Sequence, residues 1–201
     1  MSAGFVIALL GAESTGKTTL ARQLHDALAT PRRRVTVVGE YLREFCNAHG
    51  RTPLRHEQRG IADEQTRRIG AAAQTHDLVI ADTTALMTAV YSDHVFGDTT
   101  LYATALAAHA RCELTLLTAL DLPWQPDGLQ RDGPQVREPV DARLRAALDS
   151  AGLAYSVVGG LGPMRCQAAH ACVQRALKPP AAASARWQWH CERHSLLPRP
   201  P

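Results

Sequence analysis

Lysine is nearly missing from this 201-residue chain. Of its 22 basic side chains only Lys17 and Lys178 are lysines, and the rest are arginines. A chain that writes arginine almost everywhere keeps Lys17 where a compact point charge serves better than a planar fork. Cysteine pairing is missing too. The five cysteines (Cys46, Cys112, Cys166, Cys172 and Cys191) are scattered, odd in number and form no C-x-x-C motif. That excludes a disulfide framework and suits reduced thiols, so a cytoplasmic location is expected. No apolar run approaches the ~18 residues of a membrane span, and no membrane partner is expected. Phe5 to Leu10 is apolar, but no basic residue precedes it, which argues against a signal peptide. A strong basic excess is also lacking. The formal charge is +3, and residues 179–201, with three arginines and one glutamate, hold +2 of it. A near-neutral body gives no reason to expect nucleic-acid binding. The Arg32-Arg33-Arg34 run reads as a solvated turn. No internal repeat is visible.

What is present begins with Gly11-Ala-Glu13-Ser14-Thr15-Gly16-Lys17-Thr18-Thr19. It fits G-x-x-x-x-G-K-[ST], a loop whose backbone N–H groups cradle phosphates. Phe5 to Leu10 has strand length ahead of it. Leu20, Leu24 and Leu28 recur at helical spacing behind it. Gly11 and Gly16 permit backbone angles that a side chain disfavours, and the following helix turns its positive end to an anion. In such a loop Glu13, Ser14, Thr15 and Thr19 flank the phosphates, Lys17 reaches the β- and γ-phosphates, and Thr18 offers a hydroxyl to Mg2+. ATP and Mg2+ are the expected cofactors.

Further strands are expected at Val35 to Val38, Leu78 to Ala81, Leu114 to Leu117 and Tyr155 to Val158, separated by helical patterns. The helices are expected near 56–75, 86–91, 101–110, 140–151 and 164–177. Ligands of open parallel sheets sit beyond the carboxyl ends of the strands. The first strand delivers the phosphate loop to that edge. The second delivers Glu40-Tyr41-Leu-Arg43-Glu44, and the third ends in Asp82, a candidate Mg2+ ligand or substrate contact. Between Asp121 and Arg137 lies a long Gly/Pro-rich stretch with Trp124, Asp127, Arg131 and Arg137, which reads as a lid. The expected layout is α/β, with one domain over 1–178 and a Pro/Ala-rich tail over 179–201. Cys191 and His194 have the spacing of half a metal site, but no second half is evident.

A switch GTPase would need a guanine-reading Asn-Lys-x-Asp, which is absent. A small kinase fits better. Gly11 to Thr18, Glu40-Tyr-Leu-Arg43-Glu44, Asp82-Thr83 and Trp124…Asp127-Gly128 together resemble the nicotinamide-riboside kinase domain of the bifunctional bacterial NAD-biosynthesis regulators and related stand-alone P-loop ATPases. The resemblance covers roughly residues 5 to 177. It implies a P-loop NTPase three-layer sandwich with parallel strand order 2-3-1-4-5 and a lid. It also implies transfer of the ATP γ-phosphate to the 5′-hydroxyl of nicotinamide riboside. The adenylyltransferase and DNA-binding segments of those bifunctional proteins have no counterpart in these residues, so adenylylation is expected of another protein.

Within that reading a 5′-hydroxyl needs a carboxylate base. Glu40 and Asp82 are the two candidates. Arg43 holds the ribose or γ-phosphate, or else pairs with Glu40 or Glu44. Tyr41, or Trp124 with Asp127, offers an aromatic face and a carboxylate to a cationic pyridinium. Gln130 stands where the family tends to have arginine and Arg131 follows one residue later. Arg131 and Arg137 are therefore both candidates for the lid cation. The expected partner is a nucleoside-like small molecule. The alternatives are a kinase for another nucleoside and an ATP-binding regulatory module acting through its tail.

Overall fold

The computed structural model describes residues 3–125 and 133–178. The readings made for Asp127, Gln130, Arg131 and the tail from 179 lie outside them.

Five parallel strands form one sheet: β1 (Phe5–Leu10), β2 (Val35–Val38), β3 (Leu78–Asp82), β4 (Leu114–Thr118) and β5 (Ser156–Val158). Their order is β2-β3-β1-β4-β5, as the resemblance implies. Seven helices follow in chain order: α1 (Lys17–Leu28), α2 (Tyr41–His49), α3 (Gln58–Thr75), α4 (Ala85–Phe96), α5 (Tyr102–His109), α6 (Arg137–Ser150) and α7 (Pro163–Ala176). The central strands are buried on both faces, which is why they read as continuous apolar runs without alternation.

Alternate residues of β1 face opposite sides of the sheet and feed three core clusters. Ile7 and Leu9 pack with Leu20, Leu24 and Leu28 of α1 and with Ala169 and Val173 of α7. Leu10 joins Leu86 and Val90 of α4 and Val140, Leu144 and Leu148 of α6. Val6 and Val79 meet Ala73 of α3. Helices thus cover both faces, the three-layer arrangement such a sheet needs.

The register sets the working edge. Leu9 of β1 pairs with Asp82 of β3, and Val38 of β2 pairs with Ala81. The phosphate loop, Glu40 and Asp82 therefore leave the sheet side by side. At the opposite edge Asp77 accepts from the Arg34 backbone N–H at 2.7 Å and from its guanidinium at 3.3 Å. One arginine of the basic run is thus a strand tie.

Two boundaries differ from the sequence reading. Glu40 is the residue before α2, so the Glu-Tyr-x-Arg-Glu stretch is the start of a helix. Arg137 opens α6, with Pro139 in its first turn, so it belongs to a helix rather than to the loop. Proline is tolerated there because the first turn's N–H groups lack intrahelical partners in any case.

Candidate active site

The loop between β1 and α1 is shaped by three positive-φ residues: Gly11 at 144°, Ser14 at 56° and Gly16 at 77°. Gly11 is required twice over. A Cβ there would stand 2.1 Å from the Thr118 hydroxyl of β4. The Thr118 hydroxyl shares its one proton between Leu10 O at 3.1 Å and Thr15 Oγ1 at 2.7 Å, and Thr15 Oγ1 donates to Ala12 O at 2.8 Å. The loop is thereby clamped to the neighbouring strand. A backbone that mixes left- and right-handed residues ahead of a helix start makes an anion-binding concavity.

Lys17 Nζ donates to Gly11 O and Ala12 O, both at 2.8 Å, and so lies across its own loop. Phosphate oxygens are stronger acceptors than these carbonyls because both partners are then charged. Thr18 lines the cleft beside it, and Thr19 follows. Asp82 is 3% exposed, and its Oδ1 is buried without a hydrogen-bond partner. A hydroxyl and one orphaned carboxylate oxygen fit Mg2+, which is held by one or two protein groups with waters and phosphates supplying the rest. No cluster of three His, Cys, Asp or Glu side chains suited to a metal occurs among the described residues.

Glu40 stands at the end of β2 with its side chain 15% exposed. Burial pushes its carboxyl above the usual value near 4.5; Lys17 opposes this, Asp82 adds to it, and Arg43 opposes it again. These influences place four of the sequence-derived residues in one electrostatic neighbourhood. Arg43 sits 3.5 Å from Glu40 Oε2 and also lines the cleft. Glu44 turns away to pair with Arg68 at 2.7 Å.

Tyr41 is not brought into the cleft. Its ring lies beneath the Arg68 guanidinium, 4.4 Å from ring centre to cation. Trp124 Nε1 donates to Glu13 Oε1 at 2.8 Å, and Gln125 N–H donates to Ser14 Oγ at 2.8 Å. Trp124 thereby anchors the segment after β4 onto the phosphate loop. Arg137 is buried and donates to Leu122 O at 2.8 Å, bracing that same segment from below; it does not line the cleft.

Three groups of residues escaped the sequence reading. Gln65 of α3 is 2% exposed. Its Oε1 accepts from the Tyr41 N–H at 2.8 Å, while its Nε2 donates to Gly39 O at 3.2 Å and Thr83 O at 3.3 Å. It therefore brackets Glu40 on both sides and ties it to the turn after Asp82. Arg165 of α7, 4% exposed, donates to Thr15 O and Gly160 O, both at 3.0 Å, and pairs with Asp121. It links the phosphate loop to the ends of β4 and β5. The third group is the far wall of the cleft, which includes Leu42, Pro53, Met87, Tyr91 and Phe96 from α2, α4 and the segment before α3. No motif in the sequence pointed to Arg165. A lone Gln in a polar helix, or a Met in an apolar one, carries no signal of its own.

The cleft holds about 830 Å³, within the range of small-molecule sites. It has a polar phosphate end along residues 13–19 and an apolar, aromatic end on α2 and α4. Glu40 and Arg43 line it as well.

A model of the AAA-domain family matches residues 6–163. No curated protein matches the sequence. Among solved structures, a NadR protein in complex with NAD and AMP-PNP aligns with TM-score 0.69 and 21% identity, over 89% of this chain and 51% of that one. A NadR protein in complex with NR aligns with TM-score 0.67 and 21% identity, over 86% and 50%. The chain thus spans about half the length of either. A thymidylate kinase from Ehrlichia chaffeensis aligns with TM-score 0.58 and 13% identity, over 88% of this chain and all of the other. These likenesses establish the P-loop fold, and the family match runs from β1 to the first residue of α7: the chain belongs to the AAA-domain family.

Proposed function

We propose that this protein is an ATP-dependent kinase that phosphorylates a hydroxyl of a nucleoside-like small molecule, with the 5′-hydroxyl of nicotinamide riboside as the acceptor. The observation that carries the reading is the placement of Glu40. A largely buried carboxyl of raised proton affinity, under the influence of Lys17 and Asp82, lines the same cleft as the phosphate loop and an apolar wall. A pure ATP-binding module needs the loop but has no use for a base in the cleft beside it.

In this mechanism the phosphate loop and Lys17 hold the β- and γ-phosphates. Thr18 and Asp82 would hold Mg2+, which would supply positive charge to offset that of the phosphates. Glu40 accepts the acceptor hydroxyl proton as the oxygen attacks the γ-phosphorus and the bond from that phosphorus to the β,γ-bridging oxygen breaks, releasing ADP; the raised affinity of Glu40 brings it nearer the range useful to a base. Asp82 remains the alternative base. Arg43 neutralises charge at the junction of the two halves. Arg131 and Arg137 are the lid-side cations; Arg137 acts by bracing Leu122, and Arg131 is the proposed contact to the transferring group. Glu13, Ser14 and Trp124 hold the loop in shape, and Asp127 is the proposed carboxylate for a cationic base. A NadR structure bound to NR, sharing this fold, supports the choice of acceptor.

The test is a panel of nucleosides with ATP and Mg2+, scored for labelled phosphate in the nucleoside product. Nicotinamide riboside should be the best acceptor. Transfer to a deoxynucleoside with none to nicotinamide riboside would replace the acceptor. No transfer to any nucleoside would remove the kinase reading.

A further inference from the structure

One buried polar atom in the cleft is not used by the chemistry above. Gln58, the first residue of α3, is 5% exposed and lines the cleft, and its Oε1 is buried without a hydrogen-bond partner. Burying an unpaired amide oxygen works against folding. A leucine in this slot would avoid the cost.

The position is informative. Gln58 and Gln65 are seven residues apart on one helix and so share a face. Seven residues of helix span roughly 10 Å, which is the scale of a nucleoside from its 5′-oxygen to the far edge of its base. Gln65 holds the flanks of Glu40, where the reacting hydroxyl belongs. Gln58 therefore stands at the opposite end of the acceptor, by the apolar wall of Pro53, Met87 and Phe96.

We propose that Gln58 is a specificity-determining residue whose Oε1 accepts a hydrogen bond from an N–H group on the planar base of the acceptor. The acceptor class is a nucleoside carrying a carboxamide or an exocyclic amine. The apolar wall holds the ring and the glutamine reads its edge. A site built around a buried acceptor rejects an analogue that cannot donate, because the oxygen is then left unpaired in the complex as well. The inference rests on the kinase reading only for which end of the cleft takes the base.

The test is equilibrium binding by calorimetry with a non-hydrolysable ATP analogue present, on two matched pairs. Nicotinamide riboside is compared with nicotinic acid riboside, and adenosine with purine riboside, which lacks the exocyclic amine. The wild-type protein should bind the N–H-bearing member of at least one pair about tenfold tighter. Gln58→Leu should erase that preference, leave the affinity for the ATP analogue unchanged and melt no lower than wild type. A preference absent in both pairs, or one that survives in Gln58→Leu, overturns the proposal. Loss of folded protein in both Gln58→Leu and Gln58→Met also overturns it, since the amide would then serve the fold. Phosphate transfer from ATP is scored separately: its absence for every nucleoside ends the kinase reading, while the binding preference still decides Gln58.

Discussion

Replacing Gln65 with leucine isolates the link between the sheet edge and the proposed base. The side chain is buried and makes three hydrogen bonds, to Tyr41 N–H at 2.8 Å, Gly39 O at 3.2 Å and Thr83 O at 3.3 Å. Leucine has similar bulk and makes none of them. Each bond contributes about 1 kcal/mol net, so the loss is roughly 3 kcal/mol. For a domain of this size each kcal/mol moves Tm by roughly 2–4 °C, giving a drop of about 6–12 °C. Activity should fall by more than stability suggests. Glu40 keeps its carboxylate but loses the fixed backbone on either side of it, and a displacement of about 1 Å can cost on the order of a hundredfold in rate. The assays are thermal unfolding and steady-state kinetics with the acceptor varied. The loss should fall on turnover, with affinity for an ATP analogue retained, because no Gln65 bond reaches the phosphate loop. A Tm within about 2 °C of wild type, together with unchanged turnover, would refute the bracketing argument.

Lys17→Ala should abolish phosphoryl transfer with the fold intact, since the side chain donates to Gly11 O and Ala12 O, loop carbonyls that can turn to water; unchanged ATP turnover by that variant would remove the nucleotide assignment. Glu40→Gln should lower turnover by about 10²–10⁴-fold while raising or preserving Tm at pH 7. A carboxyl whose folded value is raised contributes stability below about 4.5, its unfolded value, and loses it as pH rises through the folded value, so ionised Glu40 weighs against folding at neutral pH. Turnover of the wild type should accordingly rise with pH on an acid limb displaced above that of a free glutamate. His109 supplies a pH test of the fold. It is 2% exposed, sits 3.1 Å from Thr84 Oγ1 and 2.9 Å from Thr115 Oγ1, and burial pulls its imidazole down from 6.5 to about 4. A histidine depressed in this way contributes stability above pH 6.5 and loses it as pH falls towards 4, by roughly 3 kcal/mol. The wild type should lose more stability over that window than His109→Asn, measured by denaturant titration at each pH; equal slopes would show that His109 is not the group responsible.

Much of this architecture can be read along the chain, because it depends on local order. Phe5 to Leu10, Gly11 to Thr18 and Leu20 to Leu28 are contiguous, and hydrophobic period plus glycine placement define strand, loop and helix without reference to anything distant. The carboxyl-end rule for parallel strands then takes Glu40 and Asp82 to the same edge, and the register of β1, β2 and β3 puts them there. Side-chain direction is another matter. Tyr41 and Arg43 are two residues apart on one helix, about 200° around its axis, so one faces Arg68 and the other the cleft. Nothing in the motif itself distinguishes which. Trp124 found Glu13, and Arg137 found Leu122, through contacts spanning 111 and 15 residues of sequence.

By itself the sequence determined that the chain carries a phosphate-loop motif and where on the sheet that loop sits, because a glycine loop between strand and helix is a local object. Only the tertiary structure decided which side chains line the rest of the cleft. Gln58 of α3 and Met87 and Phe96 of α4 come to line one cleft when those helices pack together, and Gln65 of α3 braces the backbone on either side of Glu40. Their meaning lies in burial and in unmet hydrogen bonds, which are properties of the packed molecule rather than of any stretch of chain.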